Sequence, residues 1–452
     1  MSIIEKIFEI YREDYVCPKC LGRLFSVLGS GTTNEKRGEA LLLNSAMEAH
    51  RNFLSKDKNV SNEGLRDLKI LSENANFLIA QNVLRRENIE FQQQNPLVDC
   101  YLCQGIFNDL NKYAIAAHNA AKEIEYENFL IGCSPHAEVI NREDQFKSKH
   151  NLIYAESLKT HFNREVGKIF EKTSNLPVEF KNPDIVFIFD LSFDGFSINT
   201  QIKSLFVYGR YKKLIRGIPQ SKWFCRNCRG AGCEECDGTG RMYPTSVEEK
   251  ISESFLKNCI PADSKFHGGG REDVDVRTLG NGRPFVLEII EPKIRKIDLE
   301  FITKRVNKKN KNEIEISDLK FTNRKDMIKL KAGAEFSKKT YSALVEFETD
   351  IVNIFEGKLK ELRENLINTI IVQKTPTRVL HRRADLVRKK KVFEIGGKII
   401  DSKRANFSIK SIGGTYIKEL IDGDEGRTSP SFSEIFGIRC KCIELDVINI
   451  EY

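Results

Sequence analysis

A chain of 452 residues exceeds the usual size of one domain, so two or three cores are expected, each buried by its own elements. The 72 Lys plus Arg against 64 Asp plus Glu leave a formal charge of +8, which permits an anionic partner without demanding one. No apolar run approaches the roughly 18 to 20 residues that span a bilayer, and MSIIEKIFEIYRED lacks a signal-peptide core, so a soluble, cytoplasmic protein with no membrane contact is expected.

In chain order, Ile3, Ile4, Ile7, Phe8 and Tyr11 recur at helical spacing and predict a short amphipathic helix. Thr32-Thr33-Asn34-Glu35 offers a capping box to a helix of about five turns. Residues 108–125 read as a further helix, 129–133 as a buried strand, 158–173 as a helix, and 184–190 and 197–208 as strands. Beyond them, 247–256 reads as a helix, 285–290 as a core strand, 300–306 as helical, 342–347 as a strand, 354–367 as a long helix, and 392–400 and 406–411 as strands. The alternation points to a mixed α/β or α+β chain.

Eight of the twelve cysteines fall in four C-x-x-C pairs: Cys17/Cys20, Cys100/Cys103, Cys225/Cys228 and Cys233/Cys236. Two intervening residues let a tight knuckle put both thiolates on one tetrahedral zinc. In CRNCRGAGCEECDGTG the last two pairs lie close enough to close one four-thiolate site, whereas redox-active or merely buried thiols are the alternative. Cys133, Cys259, Cys440 and Cys442 lack the spacing and read as small buried residues.

The stretch YGRYKKLIRG interleaves Arg210, Lys212, Lys213 and Arg216 with two tyrosines, a composition that suits an RNA-facing strand end or an ordinary basic surface. Two further basic runs, Lys304 to Lys311 and Arg388 to Lys391, fit phosphate contacts or a solvated face equally. The most unusual stretch is HGGGREDVDVRTLGNGRPFVLE, His267 to Glu288. Three glycines lead into a charged turn in which Val274 and Val276 alternate with Asp273, Asp275 and Arg277 at the period of a strand. A carboxylate held there can act as nucleophile, base or metal ligand.

Gly270-Arg271-Glu272-Asp273 resembles the G-R-x-D turn of the pseudouridine synthases. The longer GREDVDVRTLGNGRPF is similar to the archaeal and eukaryotic tRNA pseudouridine synthases that modify uridines 54 and 55 of the T arm. YGRYKKLIRGIPQSKW, KTYSALV, QKTPTRVLHRRADLVR and GGTYIKELIDGDEGRTSPS agree with that family in order, from residue 208 onward. The N-terminal part resembles it through the cysteine pairs and CLGRLF. The resemblance implies a largely antiparallel mixed sheet for a catalytic domain over 246–452, an α+β chain overall. It also implies a zinc-bearing, THUMP-type α/β accessory domain that binds tRNA over 1–245. Pairing Cys17/Cys20 with Cys100/Cys103 on a second zinc is likewise an implication of the resemblance.

By the same resemblance Asp273 is the catalytic carboxylate, whether by addition to the base, attack on the ribose or proton abstraction from it. Tyr341 would stack on the uracil and assist removal of the C5 proton. Lys418 would pair with Asp273 and keep it ionised. Ile417 and Leu445 would close the pocket with apolar surface, and Arg271 would contact the substrate beside Arg210, Lys212 and Lys213. One or two structural zinc ions, no organic cofactor, tRNA as partner and no obligate protein partner complete the expectation. Two rivals stand beside it: a zinc-knuckle RNA-binding protein without catalysis, and another THUMP-containing tRNA-modifying enzyme. The second would need a nucleotide or methyl-donor loop, and neither a G-x-G-x-x-G opening a helix nor a P-loop pattern is present.

Overall fold

The computed structural model describes residues 2–92, 99–367 and 369–451. The chain divides into two compact units, Met1–Lys203 and Ser204–Tyr452. The division falls well before the boundary expected after residue 245, because the strand from Leu205 pairs into the sheet of the second unit and takes the second cysteine cluster with it.

The first unit opens with a helix at Ile3–Tyr11, capped at Ser2 by a reciprocal bond with Glu5. The long helix Asn34–Phe53 starts at Thr33, whose side chain accepts from Lys36 N at 3.2 Å; the expected capping box reduces to this one bond. Its buried Leu42, Ala46 and Ala49 follow the spacing of one helical stripe. A shorter helix, Pro18–Leu24, crosses it at backbone contact: a Cβ on Gly22 would lie 1.7 Å from Asn34 O, and one on Gly38 would lie 1.9 Å from Pro18 O. Any side chain there would push apart the helix that follows Cys17 and carries Cys20.

Strands β1 (Phe129–Pro135), β2 (Ile185–Leu191) and β3 (Phe196–Ile202) form the sheet of this unit, with β1 parallel to β2 and β3 antiparallel to it. Period-2 burial of Ile185, Phe187, Phe189 and Leu191 fixes which face of β2 is covered. Helix Leu158–Ser174 lies over that face, with the Phe170 ring 4.6 Å from Phe129 and 5.1 Å from Phe187. The strand expected over 197–208 is two strands, β3 and β4 (Leu205–Lys213), one in each unit.

The second unit is built on a ten-stranded sheet that adds β5 (Asp263–Gly268), β6 (Arg277–Ile290), β7 (Ile314–Thr322), β8 (Lys338–Phe347), β9 (Ile370–Gln373), β10 (Arg388–Ile399), β11 (Arg404–Ile412), β12 (Thr428–Ser429) and β13 (Cys440–Glu451). The order is β12-β9-β10-β11-β8-β13-β6-β4-β7, with β5 also on β6. Every pairing is antiparallel except β13 with β6, which run parallel over Asp446/Arg277 and Val447/Thr278. The mixed, largely antiparallel sheet is therefore the one expected.

Helices Val247–Cys259 and Leu299–Lys309 bury Val207, Phe285, Leu287 and Ile289 on one half of the sheet. Helices Phe355–Leu366 and Phe432–Phe436 bury Val345, Ile395 and Phe407 on the other. Phe407 sits between them, 5.8 Å from Phe355 and 5.1 Å from Phe432, and its truncation to alanine should cost about 3 to 5 kcal/mol. No helix among the described residues is long and apolar enough to cross a membrane.

Candidate active site and cysteine clusters

The turn between β5 and β6 holds the charged residues singled out in the sequence. Gly269 N donates to Pro284 O at 2.8 Å, folding the glycine run back onto β6. Gly270 has a φ of +90°, and a Cβ there would lie 2.9 Å from both Arg283 Nη1 and Lys339 Nζ. Glycine alone satisfies both the angle and the space. The strand expected from the Val274/Val276 alternation is a turn: Val276 N donates to Asp273 O at 3.1 Å, and β6 begins only at Arg277. The turn wins because its carbonyls have a better partner than a strand would supply. Fully buried Lys213 donates to Asp273 O at 3.1 Å, Val274 O at 3.0 Å and Ile218 O at 3.0 Å.

Lys213 thus overturns its expectation as an RNA-facing cation. It is an interior residue that fixes the backbone of the Asp273 turn, and burial pulls its ammonium below the ordinary lysine range. Arg210 braces the sheet by donating to Asn281 O, Gly282 O and Ile450 O at 2.6 to 3.2 Å, and Lys212 pairs with Glu315 at 3.1 Å. Beneath the turn, Glu272 is buried against Arg283 at 2.7 Å, and the Tyr211 hydroxyl lies 2.8 and 2.9 Å from its two oxygens. Gln220 Nε2 donates to the Tyr211 oxygen at 2.8 Å and to Gly270 O at 2.9 Å. Burial, and then the Glu272 charge, pushes the Tyr211 phenol far up, so it stays a hydrogen-bond donor.

Above this floor opens a cleft of about 660 Å³ that brings together Asp273, Tyr341, Lys418, Arg271, Ile417 and Leu445. Tyr341, on β8, is 8 % exposed, and burial, partly opposed by Arg283 and reinforced by Asp273, lifts its phenol to about 12. Arg271 reaches over the Trp223 ring at 4.9 Å. Among the described residues, ten cations against three carboxylates line the cleft, which suits a polyanion.

The partner of Asp273 is not the one expected. Its carboxylate meets Arg378 at 2.9 Å, and Arg378 is itself held by the buried Glu419 at 2.6 Å. Lys418, on the short helix Ile417–Asp422, pairs instead with Asp275 at 2.5 Å. The turn that the alternation concealed separates the two acids, so each finds its own cation. Lys418 holds Asp275 below the usual carboxylate range, although burial works against it.

Cys225, Cys228, Cys233 and Cys236 bring their sulfurs to within 3.7 to 3.8 Å along three edges. Four ligands about 2.3 Å from one tetrahedral ion stand about 3.8 Å apart, so the set fits a zinc-sized site. Cys17, Cys20, Cys100 and Cys103 gather in the same way, with Cys17 and Cys103 at 3.9 Å and Cys17 N donating to Cys100 Sγ at 3.3 Å. Cys133, Cys259 and Cys440 are buried apart from both groups, and Cys442 partly so.

Sequence reasoning assigned no role to Arg378, although it lies in the quoted stretch QKTPTRVL, and none to Arg283, Glu272, Tyr211 or Lys339. For Lys339 a signal existed: K-x-Y on a strand puts its side chain on the same face as Tyr341. For the others the pairing is tertiary and leaves no periodic trace.

A family model described as "Pus10, C-terminal" matches residues 206–451, and one described as "Pus10 THUMP domain, archaeal" matches residues 113–190. A protein of Methanocaldococcus jannaschii named tRNA pseudouridine synthase Pus10 is 43 % identical over all of this chain and 94 % of its own length. Proteins of the same name from Methanothermobacter marburgensis and Methanopyrus kandleri are 38 % and 37 % identical. They cover 96 % and 99 % of this chain, and 95 % and 98 % of their own lengths.

Proposed function

We propose that this chain, which belongs to the Pus10 family of tRNA pseudouridine synthases, isomerises uridine 54, uridine 55 or both in the T arm of tRNA, with Asp273 as the carboxylate that acts on the target nucleotide. The chain is an isomerase of tRNA and its reaction needs no organic cofactor, since the bond from C1′ to N1 of uracil breaks and one from C1′ to C5 forms without change of composition.

The observation that supports this reading is the convergence of Asp273, Arg378 and Tyr341 in one cationic cleft. A buried base must leave its stack to reach the cleft, at a cost of roughly a few kcal/mol that phosphate contacts offset. Tyr341 would stack on the extruded uracil, and its hydroxyl would assist loss of the C5 proton once C5 is bonded to C1′. Arg378, clamped between Asp273 and Glu419, fixes the direction of the catalytic carboxylate. Ile417 and Leu445 keep water from the reacting face, and Lys418 with Asp275 forms the rim.

Each cysteine tetrad holds one structural zinc, which contributes directly to folding free energy. The test of the catalytic reading is pseudouridine mapping in unmodified tRNA incubated with the protein alone. Product at position 54 or 55 is expected, and an unmodified T arm would refute it. Metal analysis tests the zinc reading: two zinc ions per chain are expected, falling to one in a Cys225→Ser/Cys228→Ser double variant.

A further inference from the structure

Lys339 lies on the same face of β8 as Tyr341, and both line the cleft. The residue is 5 % exposed, and no described residue gives its ammonium a hydrogen bond or an ion pair. A charge so placed is costly unless something answers it. Burial, with Arg283 and Lys390 adding to it and Glu272 opposing, brings the ammonium down to about 7.

Of the three carboxylates that line the cleft with it, the exposed Glu335 forms no ion pair with Lys339, and the other two are taken. Glu272 is engaged by Arg283 and Tyr211, and Asp273 by Arg378. Arg283 Nη1 stands as close to the Cβ position of Gly270 as Lys339 Nζ does, so two cations share one wall. Lys390, 7 % exposed, approaches from β10 and donates to Gly413 O at 2.9 Å. An anion is the partner this arrangement lacks.

Resting on the reading of Tyr341 as the surface that meets the target base, we infer that Lys339 seats one backbone phosphate of the RNA, the one adjoining the nucleotide drawn into the cleft, with Arg283 behind it adding charge. Residues two apart on a strand stand about 7 Å apart, which leaves room for a ribose between a base on Tyr341 and a phosphate on Lys339. The missing side chain at Gly270 is what lets that phosphate approach the ammonium.

The test is equilibrium binding of a T-arm hairpin RNA in which one linkage at a time is a neutral methylphosphonate on a 2′-deoxy nucleotide. The same deoxy nucleotide with an ordinary phosphate is the control. Wild type should lose roughly ten- to a hundredfold in affinity at one linkage beside uridine 54 or 55, the size of one hydrogen bond to a charged group. Lys339→Met should lose a similar factor on the unaltered hairpin and nothing more at that linkage. Lys339→Arg should bind well and keep its sensitivity there. Losses that multiply at every linkage overturn the proposal, as does a Lys339→Met protein that binds like wild type. Lys339→Gln, with circular dichroism on all variants, serves if Lys339→Met fails to fold. Pseudouridine formation by wild type is scored separately: its absence would refute the catalytic reading and leave the binding result standing, and its presence would not rescue a failed cycle.

Discussion

Asp273 and Asp275 are the same residue type, two positions apart in one turn, and they live in different worlds. Asp273 faces the cleft and meets an arginine that a buried glutamate holds rigid. Asp275 lies at the rim, well exposed, and meets a lysine on a flexible stem. A carboxylate becomes a catalytic candidate through the stiffness of what stands behind it. Arg378 offers a planar fork fixed at both ends, whereas Lys418 offers a point charge that can swing.

The comparison can be broken most decisively at Asp273. Asp273→Asn should lower single-turnover pseudouridine formation by at least about a thousandfold, while gel-shift affinity for tRNA stays within roughly threefold, because the amide keeps the shape and touches few phosphates. Asp275→Asn, assayed alongside, should keep most of the rate. If the two results exchanged places, the catalytic role would pass to Asp275.

Arg378→Met comes next, with a rate loss of roughly ten- to a hundredfold in kcat and little change in KM, since it releases the carboxylate without removing it. Arg378→Lys should recover only part of that loss, because a lysine cannot reach Asp273 and Glu419 together. Tyr341→Phe keeps the stacking face and should lose turnover but not binding, and Tyr341→Leu should lose more of both.

The smallest effects belong to the rim. Lys418→Met and Asp275→Asn should each cost about 0.2 to 1 kcal/mol in urea melts, and the double variant no more than either alone. Because the folded state lowers the pKa of Asp275, the stability it contributes is present above the ordinary aspartate value near 3.8 and disappears as pH falls through the lowered one. The melts of wild type and Asp275→Asn should therefore converge in acid. A Lys418→Met enzyme as crippled as Asp273→Asn would show that Lys418 changes partner when RNA binds, restoring the pairing that the family resemblance implies.

What was legible in the sequence follows from how local each signal is. The cysteine knuckles, the helix from Asn34 and the glycine-rich turn announce themselves through spacing, and the structure has all three. Lys213 did not, because whether a lysine in a basic run points outward depends on which carbonyls fold against it, and two of its three come from 60 and 61 residues away. Arg378 was hidden for the same reason, with its partners in the turn and in the helix from Ile417. Residues 197–208 looked like one strand because alternation reports which face is buried and cannot report that the chain changes sheets at Lys203 and Ser204. The alternation at Val274 and Val276 misled in the same way, since a turn with one inward valine shows the same pattern as a strand.

β13 stands between β8 and β6, and it is the latest strand in chain order. Without residues 440–451, β8 and β6 would present facing unpaired edges, and Leu445 and Val447 would be missing from the cleft wall. Its Asp446 collects Arg216 at 2.8 Å and Arg277 at 2.6 Å, fastening segments 230 and 169 residues away in sequence, respectively. Such distant pairing is slow to form and leaves open edges exposed to other chains while it waits. The cleft therefore owes its final shape to one central strand that joins the two halves of the sheet.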